Sequence, residues 1–427
     1  MFNRRHFLGT TSALPFVAAA AGSTATTTAT ADDKAGFKPD SAFDSYPLLQ
    51  NPTESSINVV WSVKTLVNGW VEWGTEKEKL DQKAVGAVYG LRPLDDRVIA
   101  IRIDGLKPNT TYYYRAVVRR IDYSGGAYRV KQGAVEASDV YSFTTPGAGA
   151  GHASFAVIND THQAVDTLRA HMKKLAELKA DYTVLNGDLT NNFESMDVFT
   201  PIVMRPADAP FAAERPVLLG RGNHDHRGRW ARELPKYLTP WEQPKFKYRG
   251  LGYSGWVRQG DLAMILMDTG EDKADFRQEW AGMASFEPYV ELQGKWLAEV
   301  MEKPEIKTAP FIVLFCHIPL FDDSPNANPG TLETGFSSWK KLAADHWGPT
   351  MQKYGVQLAV CAHIHQYTFK PATADRCWAQ ITGGGPNPKS KPTVIHGAVE
   401  NGVLKISVYN SLENTLLDTY EFKPRKV

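Results

Sequence analysis

The stretch that decides the fold is Gly222-Asn223-His224-Asp225, which comes two residues after the apolar run Pro216-Val217-Leu218-Leu219. A short apolar run with little alternation is typical of a strand that is buried on both faces. Polar residues that follow such a strand lie at the carboxyl edge of a sheet, where α/β proteins place their ligands. Amide oxygens and imidazoles bind divalent metals. The stretch therefore predicts a metal-type site at the end of a buried strand.

Four further motifs repeat this arrangement along the chain. Apolar runs at 154–158, 182–185, 310–315 and 356–360 precede, in that order, Asp160-Thr161-His162, Gly187-Asp188, His317 and His363-Ile364-His365. Helix-like stretches such as 165–179 and 293–302 lie between them. One Asp-x-His alone would carry little information. Five such motifs in series predict an α/β domain whose strand ends converge on a metal centre.

The ordered motif set resembles that of the calcineurin-like metallophosphoesterases, which include the purple acid phosphatases, over roughly residues 151–395. The resemblance implies a four-layer α/β/β/α sandwich over residues 151–427 and two metal ions drawn from manganese, iron and zinc. Carried over by position, Asp160, His162 and His365 hold one metal, Asn223, His317 and His363 hold the second, and Asp188 bridges both. The implied reaction is attack of a metal hydroxide on a phosphate ester.

The residue types fit this chemistry independently. A carboxylate such as Asp188 can bridge two cations about 3.5–4 Å apart, and neutral imidazoles complete each ligand shell without adding charge. The resemblance places His224 beside the metals without binding them, and a histidine side chain is a suitable type to protonate the leaving alkoxide. Asp225 is a candidate to orient His224.

Two positions depart from the purple acid phosphatase pattern. Asn191 stands three residues after Asp188, where the purple enzymes carry the tyrosine that gives their colour, and His162 stands where they often have glycine. We therefore expect a colourless enzyme. Asn191 can orient the catalytic histidine as a neutral partner, and it is a candidate substrate-binding residue.

Cationic side chains crowd the loop of the Gly-Asn-His-Asp motif. They are Arg221, His226, Arg227 and Arg229. A guanidinium here can clamp a substrate phosphate through two hydrogen bonds, or it can be a solvated loop charge. Arg221 is our candidate for the phosphate contact.

Residues 45–147 follow a different pattern, with apolar and polar residues alternating in 56–63, 69–74 and 97–103. Such spacing between turn signals predicts an all-β antiparallel sandwich. The stretch 106–112 resembles the tyrosine corner of fibronectin type III domains, and purple acid phosphatases carry such a domain ahead of the catalytic one. Residues 147–151 alternate glycine and alanine and predict a flexible hinge. At the other end of the chain, residues 402–422 predict a C-terminal hairpin that extends a catalytic sheet.

Residues 1–31 indicate an export signal. Arg4 and Arg5 precede an apolar stretch, 13–21, which is too short and too broken by Pro15 to span a bilayer. We therefore expect the twin-arginine export machinery as a partner, a periplasmic or secreted location, and no stable membrane anchor. A disordered cytoplasmic tail with chance arginines is the alternative.

Composition bounds the remaining possibilities. The 427 residues suit two domains, and the formal net charge of +1 gives no hint of a nucleic-acid surface. The three cysteines show no disulfide framework. Cys316 and Cys361 are predicted to be small buried residues behind the ligands, and a disulfide between them stays open.

The predicted function is hydrolysis of phosphate esters, with a phosphomonoesterase favoured. A phosphodiesterase of the same fold stays open, and Asn191 leans weakly away from the purple monoesterases. The rival is a cell-surface binding protein with a vestigial phosphoesterase domain. A complete ligand set that includes His224 argues against that rival.

Overall fold

A computed structural model describes residues 40–149, 151–321 and 336–426, so the predicted export signal lies outside the described residues. None of the helices in these ranges is both long enough and apolar enough to span a membrane. The helices are α1 Val165–Leu178, α2 Leu234–Tyr237, α3 Phe286–Met301, α4 Pro304–Lys307 and α5 Phe336–Tyr354. The strands are β1 Leu48–Thr53, β2 Ser56–Ser62, β3 Val67–Gly74, β4 Gln82–Ala84, β5 Leu94–Asp95, β6 Val98–Asp104, β7 Thr111–Asp122, β8 Lys131–Ala137, β9 Tyr141–Thr144, β10 Gly147–Ala148, β11 Ala153–Ile158, β12 Tyr182–Asn186, β13 Val217–Gly220, β14 Gly255–Gly260, β15 Leu262–Leu266, β16 Phe311–Phe315, β17 Leu358–Cys361, β18 Thr368–Lys370, β19 Ala379–Thr382, β20 Thr393–Glu400, β21 Val403–Asn410 and β22 Thr415–Phe422.

Three sheets organise these strands. A nine-stranded sheet has the order β22-β21-β20-β11-β12-β13-β1-β2-β6, and a seven-stranded sheet has the order β10-β14-β15-β16-β17-β19-β18. The third sheet runs β4-β3-β7-β8, with β5 beside β3 and β9 beside β7. Within the two larger sheets, β11, β12 and β13 are mutually parallel, as are β15, β16, β17 and β19. The carboxyl ends of these strands therefore lie at a common edge.

The two larger sheets pack face to face between layers of helix. Phe155 of β11 and Phe315 of β16 point into the core between the sheets, and their rings make an edge-on contact with centroids 5.0 Å apart. The alternate residues Ala156 and Leu314 face outward, toward α1 on one side and toward α3 and α5 on the other. Burial on both faces explains why these runs are apolar without alternation. The four-layer α/β/β/α sandwich predicted from the sequence is confirmed.

The N-terminal sandwich shares a sheet with the catalytic layers. Trp61 of β2 faces the core of the N-terminal sandwich, whereas its neighbour Val60 faces the core that contains α1. β1 pairs in parallel with β13 through Gln50 and Val217. One wall of the sandwich is therefore the end of the nine-stranded sheet.

The flexible hinge predicted for residues 147–151 is wrong for Gly147 and Ala148. These residues form β10, which pairs in parallel with Gln259 and Gly260 of β14. A glycine is needed at the first position, since a Cβ there would stand 2.3 Å from the side-chain amide nitrogen of Asn109. Small residues in a row predict a linker, but in the structure they allow the backbone of β10 to pack closely against β14 and Asn109.

Two further differences concern the catalytic layers. The helix predicted from residue 293 begins earlier, at Phe286, because the carboxylate of Asp275 accepts hydrogen bonds from the backbone N–H groups of Phe286 and Glu287 (2.7 and 3.0 Å). β14, β15 and β20 were not predicted. The C-terminal hairpin is confirmed as β21 and β22, at the edge of the nine-stranded sheet.

Candidate metal centre

The predicted motifs meet at the carboxyl edge of the two facing sheets. Within three residues of the end of a strand lie Asp160 after β11, Asp188 after β12, Asn223 after β13, His317 after β16 and His363 after β17. Parallel strands deliver their following loops to one edge. Side chains separated by up to about 200 positions in the chain therefore come together there.

The side chains form two clusters around Asp188. One ligand atom from each of Asp160, His162, Asp188 and His365 lies within 4.8 Å of the others, and the same holds for Asp188, His317 and His363. Asn223 joins the second cluster, with its Oδ1 2.8 Å from His363 Nδ1. We call Asp160, His162 and His365 the open group and Asn223, His317 and His363 the buried group. Asp188 is common to both.

Two buried atoms at the centre have no hydrogen-bond partner among the residues that the structure describes. The Nδ1–H of His317 donates to the carbonyl oxygen of Asn186 (2.8 Å), so Nε2 is the nitrogen that can take up a proton or bind a cation. It lies 3.2 Å from Asp188 Oδ2 and 3.8 Å from Asp160 Oδ1. Among the described residues, His317 Nε2 and Asp160 Oδ1 are buried without a hydrogen bond. Buried polar atoms are normally satisfied, so this pair of acceptors fits a bound cation.

A second close pair belongs to the open group. His162 Nε2 lies 3.0 Å from His365 Nε2. The Nδ1–H of His162 donates to Asn191 Oδ1 (3.1 Å), so its Nε2 carries a lone pair. Two imidazole nitrogens at this distance require a shared proton or a cation between them.

Backbone strain concentrates on the predicted ligands. Five of them have positive φ: Asp160 (47°), His162 (43°), Asp188 (55°), His363 (73°) and His365 (54°). A residue other than glycine costs on the order of 1 kcal/mol in this region, and such residues persist where the surrounding structure holds them, commonly at functional sites.

The glycines of the motifs allow the close approach of these loops. A Cβ on Gly222 would stand 2.3 Å from Asp188 Oδ1, and one on Gly187 would stand 2.4 Å from His317 Nδ1. Any larger residue at either position would displace a ligand side chain. This explains why the Gly-Asp and Gly-Asn-His motifs both begin with glycine.

The pKa values of two histidines at the centre are shifted in opposite directions. Burial alone would lower the pKa of His317, but Asp188 and Asp160 overcome it and raise the pKa to about 10. Burial and the neighbouring His317 lower the pKa of His363 to about 4. Burial would raise the pKa of Asp188, but His317 holds it well below its usual range. The carboxylate of Asp188 is therefore ionised and strongly attracts positive charge.

His224 lies beside the two groups. Its backbone N–H donates to Asp188 Oδ1 (2.9 Å), and its ring centroid is 4.8 Å from that of His162. Its Nδ1–H donates to the carbonyl oxygen of Asn191. Its Nε2 accepts a hydrogen bond from Arg227 Nη1 (3.1 Å).

The orienting role predicted for Asp225 is wrong. Its carboxylate accepts hydrogen bonds from the backbone N–H groups of Gly222 (2.8 Å), Asp188 (3.0 Å) and Leu189 (3.3 Å), and none from His224. Burial and the neighbouring Asp188 raise the pKa of Asp225, and the backbone donors oppose that shift. Asp225 therefore fixes the two loops that carry the ligands.

The two predicted substrate-binding residues have other contacts. The guanidinium of Arg221 pairs with the buried carboxylate of Asp268 (2.6 Å) and lies 4.0 Å from the ring centroid of Tyr253. These contacts favour a structural role for Arg221 over the predicted phosphate contact. Asn191 contacts His162 with its side chain and His224 with its carbonyl group, which is an orienting position.

An acidic loop after β15 was missed. Arg227 donates to the carboxylates of Glu271 and Asp272, and Asp272 Oδ2 lies 3.9 Å from His363 Nε2. Burial raises the pKa of Glu271 to about 8, against the influence of Arg227. The signal was present in the sequence, since the apolar run 262–267 ends at Asp268 as the other runs end at their motifs.

Cys316 and Cys361 pack behind the ligands. Both are fully buried free thiols with their sulfur atoms 3.7 Å apart. The prediction that they are small buried residues is confirmed, and the structure has no disulfide between them.

Two protein families match parts of this chain. Residues 153–367 match the family described as calcineurin-like phosphoesterase, and residues 46–145 match the purple acid phosphatase N-terminal domain. The chain is 23% identical over 329 residues to the probable purple acid phosphatase 20 of Arabidopsis thaliana, in an alignment that covers 73% of this chain and 65% of the plant protein. The chain thus spans a little under two thirds of that relative.

Two solved structures share the fold. Purple acid phosphatase PPD1 from seeds of yellow lupin (Lupinus luteus) superimposes with a TM-score of 0.63 at 15% identity, covering 88% of this chain and 73% of that one. PhoD superimposes with a TM-score of 0.57 at 12% identity, covering 91% of this chain and 94% of that one. Since the phosphoesterase match spans just over half of the chain and contains all five motifs, the chain belongs to the calcineurin-like phosphoesterase family and carries the N-terminal domain of the purple acid phosphatases.

Proposed function

We propose that this chain hydrolyses phosphate esters at a two-metal centre, with phosphomonoesters as the preferred substrates. One observation carries the proposal: the open group and the buried group converge on Asp188, with the buried acceptors His317 Nε2 and Asp160 Oδ1 unsatisfied among the described residues. A set of carboxylates, an amide and neutral imidazoles suits manganese, iron or zinc.

The proposed ligands divide as the two groups do. The open group would hold one cation, the buried group the other, and Asp188 would contact both. Two cations held there would act as Lewis acids on the phosphate and lower the pKa of a bound water. Asn186 supports this arrangement by fixing the tautomer of His317, and Asn191 supports it by fixing that of His162.

His224 is the proposed general acid. Its Nδ1–H is held by the carbonyl oxygen of Asn191, so Nε2 is the nitrogen that would carry the proton to a leaving-group oxygen, once Arg227 donates to the substrate phosphate instead of to Nε2. The backbone bond from His224 to Asp188 fixes the distance between the acid and the bridging carboxylate.

Arg227 is the proposed phosphate-binding guanidinium, in place of Arg221. It lies against His224 Nε2 and is held from behind by Glu271 and Asp272. A guanidinium held in this way can donate to a phosphate oxygen near the general acid. Arg227→Met should raise KM for p-nitrophenyl phosphate by about tenfold or more, and Arg229→Met should leave it unchanged.

The activity test compares p-nitrophenyl phosphate with bis-p-nitrophenyl phosphate on protein loaded separately with manganese, zinc and iron. Faster turnover of the monoester, abolished by Asp188→Asn, would support the proposal. Faster turnover of the diester would make the chain a phosphodiesterase. Stoichiometric metal binding without turnover of either ester would favour a binding protein with a vestigial site.

We also propose twin-arginine export on the basis of residues 1–31. A reporter that functions only after folded export, fused to these residues, should reach the periplasm. Replacement of Arg4 and Arg5 together by lysine should retain it in the cytoplasm, and unchanged export of that variant would contradict the assignment.

A further inference from the structure

A cavity lies away from the metal centre, between β14, α3 and the loop before β14. It has a volume of about 420 Å³, within the range of small-molecule sites. Trp241, Trp256 and Trp296 line it, together with Arg258 and Lys303. Aromatic walls with a few cationic groups suit a flat ligand that carries negative charge.

Arg258 is the unusual member of this lining. The residue is 4% exposed, yet it forms no ion pair with a carboxylate of the described residues. Its one hydrogen bond in those residues is long, 3.4 Å from Nη1 to the carbonyl oxygen of Asp261, and its Nε is buried without a partner. A guanidinium stays charged, and a buried charge without a counter-ion is costly. The residue therefore calls for an anionic partner.

The neighbours of Arg258 supply the aromatic half of the site. Trp256 lies two residues away on the same strand, and side chains at i and i+2 share a face. That face is the outer one, because the intervening Val257 packs between the two sheets. Lys303 Nζ lies 5.5 Å from the Trp256 ring centroid and likewise forms no ion pair within the described part of the chain.

The acidic groups of the cavity leave this positive charge uncompensated. Glu299 is bonded by both Lys245 and Lys247, each at 2.5 Å. Glu302 is paired with Lys307 (2.9 Å) and Lys353 (3.3 Å). These two carboxylates are taken up by their own lysines. Of the other lining carboxylates, Glu242 lies 3.5 Å from Arg102, and neither it nor Glu54 forms an ion pair with Arg258 within the described residues. The carboxylate of Asp261 acts on the guanidinium only at longer range, without an ion pair.

The cavity is distinct from the metal centre. Gly255 pairs with Leu266 at the carboxyl end of β15, whereas Arg258 pairs with Ala263. Arg258 is three residues further along β14 than Gly255, so its backbone lies roughly 10 Å from the sheet edge that carries the predicted ligands.

We propose that this cavity binds a small aromatic carboxylate, with the ring against Trp256 and the carboxylate on Arg258. The ligand would satisfy the guanidinium, and its ring would bury the partly exposed indole.

Calorimetric titration of the metal-loaded full chain with 2-naphthoate tests the proposal. We expect saturable binding at one site, with the uncharged 2-naphthamide bound roughly tenfold or more weakly, the loss expected for a charge-assisted hydrogen bond. Arg258→Met should lose the same factor. Arg249→Met, an exposed arginine outside the lining, should bind as the unaltered protein does. Equal affinity of Arg258→Met and the unaltered protein would overturn the proposal.

Two further variants keep the test decisive. Asp188→Asn should bind 2-naphthoate normally, and loss of binding there would assign the probe to the metal centre and overturn the proposal. Arg258→Met should unfold at no lower temperature than the unaltered protein, because an unpaired buried charge is removed. A marked fall would give Arg258 a structural role and count against the proposal. Trp256→Leu, which keeps an apolar side chain, should weaken binding, and unchanged affinity there would overturn the ring contact.

Discussion

The buried group and the open group share Asp188 but differ in how their side chains are held. His317 is fully buried and fixed by a backbone carbonyl, whereas the side chain of His365 is 40% exposed. His162 depends on the side chain of Asn191, itself an exposed residue. Both departures from the purple acid phosphatase pattern, His162 and Asn191, thus lie at the open group. The buried group is therefore held by the core of the fold, whereas the open group is held in part by an exposed side chain.

Removal of the shared carboxylate breaks both groups together. Asp188→Asn keeps the shape and can still accept the backbone hydrogen bond of His224, but it loses the charge that attracts both cations. We expect turnover to fall by about 10³-fold or more, since the cations supply several kcal/mol of stabilisation. Activity on p-nitrophenyl phosphate, with circular dichroism to check the fold, measures this. Residual turnover near that of the unaltered protein would contradict a bridging role.

Single-ligand variants separate the two groups. His317→Ala removes a fully buried imidazole that lies against Asp188 and Asp160. We expect metal affinity to fall more steeply than the roughly 10–100-fold loss expected for His365→Ala, where water can take the exposed position. Competition titration with manganese measures both. The exposed His346→Ala serves as the control. Equal losses would show that burial does not distinguish the groups.

Removal of the general acid should leave both groups intact. His224→Ala should retain both metals and lose about 10²-fold or more of its activity on an alkyl phosphate, with a smaller loss on p-nitrophenyl phosphate, whose leaving group needs no proton. The ratio of the two rates is the measurement. An unchanged alkyl phosphate rate would remove His224 from the mechanism.

A buried histidine outside both groups shows how burial alone changes the pKa of an imidazole when no carboxylate is near. His171 of α1 is fully buried with neither ring nitrogen bonded within the described residues, and burial lowers its pKa to about 3. As pH falls below about 6.5 the unfolded imidazole takes up a proton before the folded one does. Folding stability is therefore full above that pH and is lost progressively toward pH 3, by about 1.4 kcal/mol per pH unit.

His171→Met removes this dependence. The variant's free energy of unfolding is compared with that of the unaltered protein at each pH. This difference should favour the variant by about 2 kcal/mol more at pH 5 than at pH 7.5. Urea denaturation at the two pH values measures the gain. A pH-independent difference would mean that His171 is protonated in the folded protein.

The smallest effect is expected at the support of the open group. Asn191→Ala removes the side-chain acceptor of His162 but keeps the carbonyl that holds His224. We expect metal affinity of the open group to fall by about tenfold, with the rate of the fully loaded enzyme nearly unchanged. A fall in the rate at saturating metal, without a fall in affinity, would place the side chain in the reaction itself.

The residues of the metal centre were predictable from the sequence because they follow strands that are buried on both faces. Runs such as 154–158 and 310–315 are apolar on both faces, so they mark central strands, and the residues that follow them had to meet at one edge. The helix α1 was predicted to within one residue because its apolar spacing is local. Elements that are set by the pattern of neighbouring residues, such as α1 and the strands that precede the motifs, were predicted correctly.

Features that depended on distant contacts were not predictable. Asp275 starts α3 from 11 residues upstream, beyond the reach of a local helix pattern. The carboxylate of Asp225 accepts a hydrogen bond from the backbone N–H of Asp188, 37 residues away. Gly147 and Ala148 read as a hinge because the pairing with β14 has no local signature. Positive φ at five ligands is likewise imposed by the assembled site.

The most direct test of the two-metal account is metal content by inductively coupled plasma mass spectrometry, on purified protein reconstituted with manganese and dialysed. The account predicts two ions per chain in the unaltered protein, one retained by His365→Ala and none retained by Asp188→Asn. A single ion in the unaltered protein, or two ions undisturbed by Asp188→Asn, would contradict it.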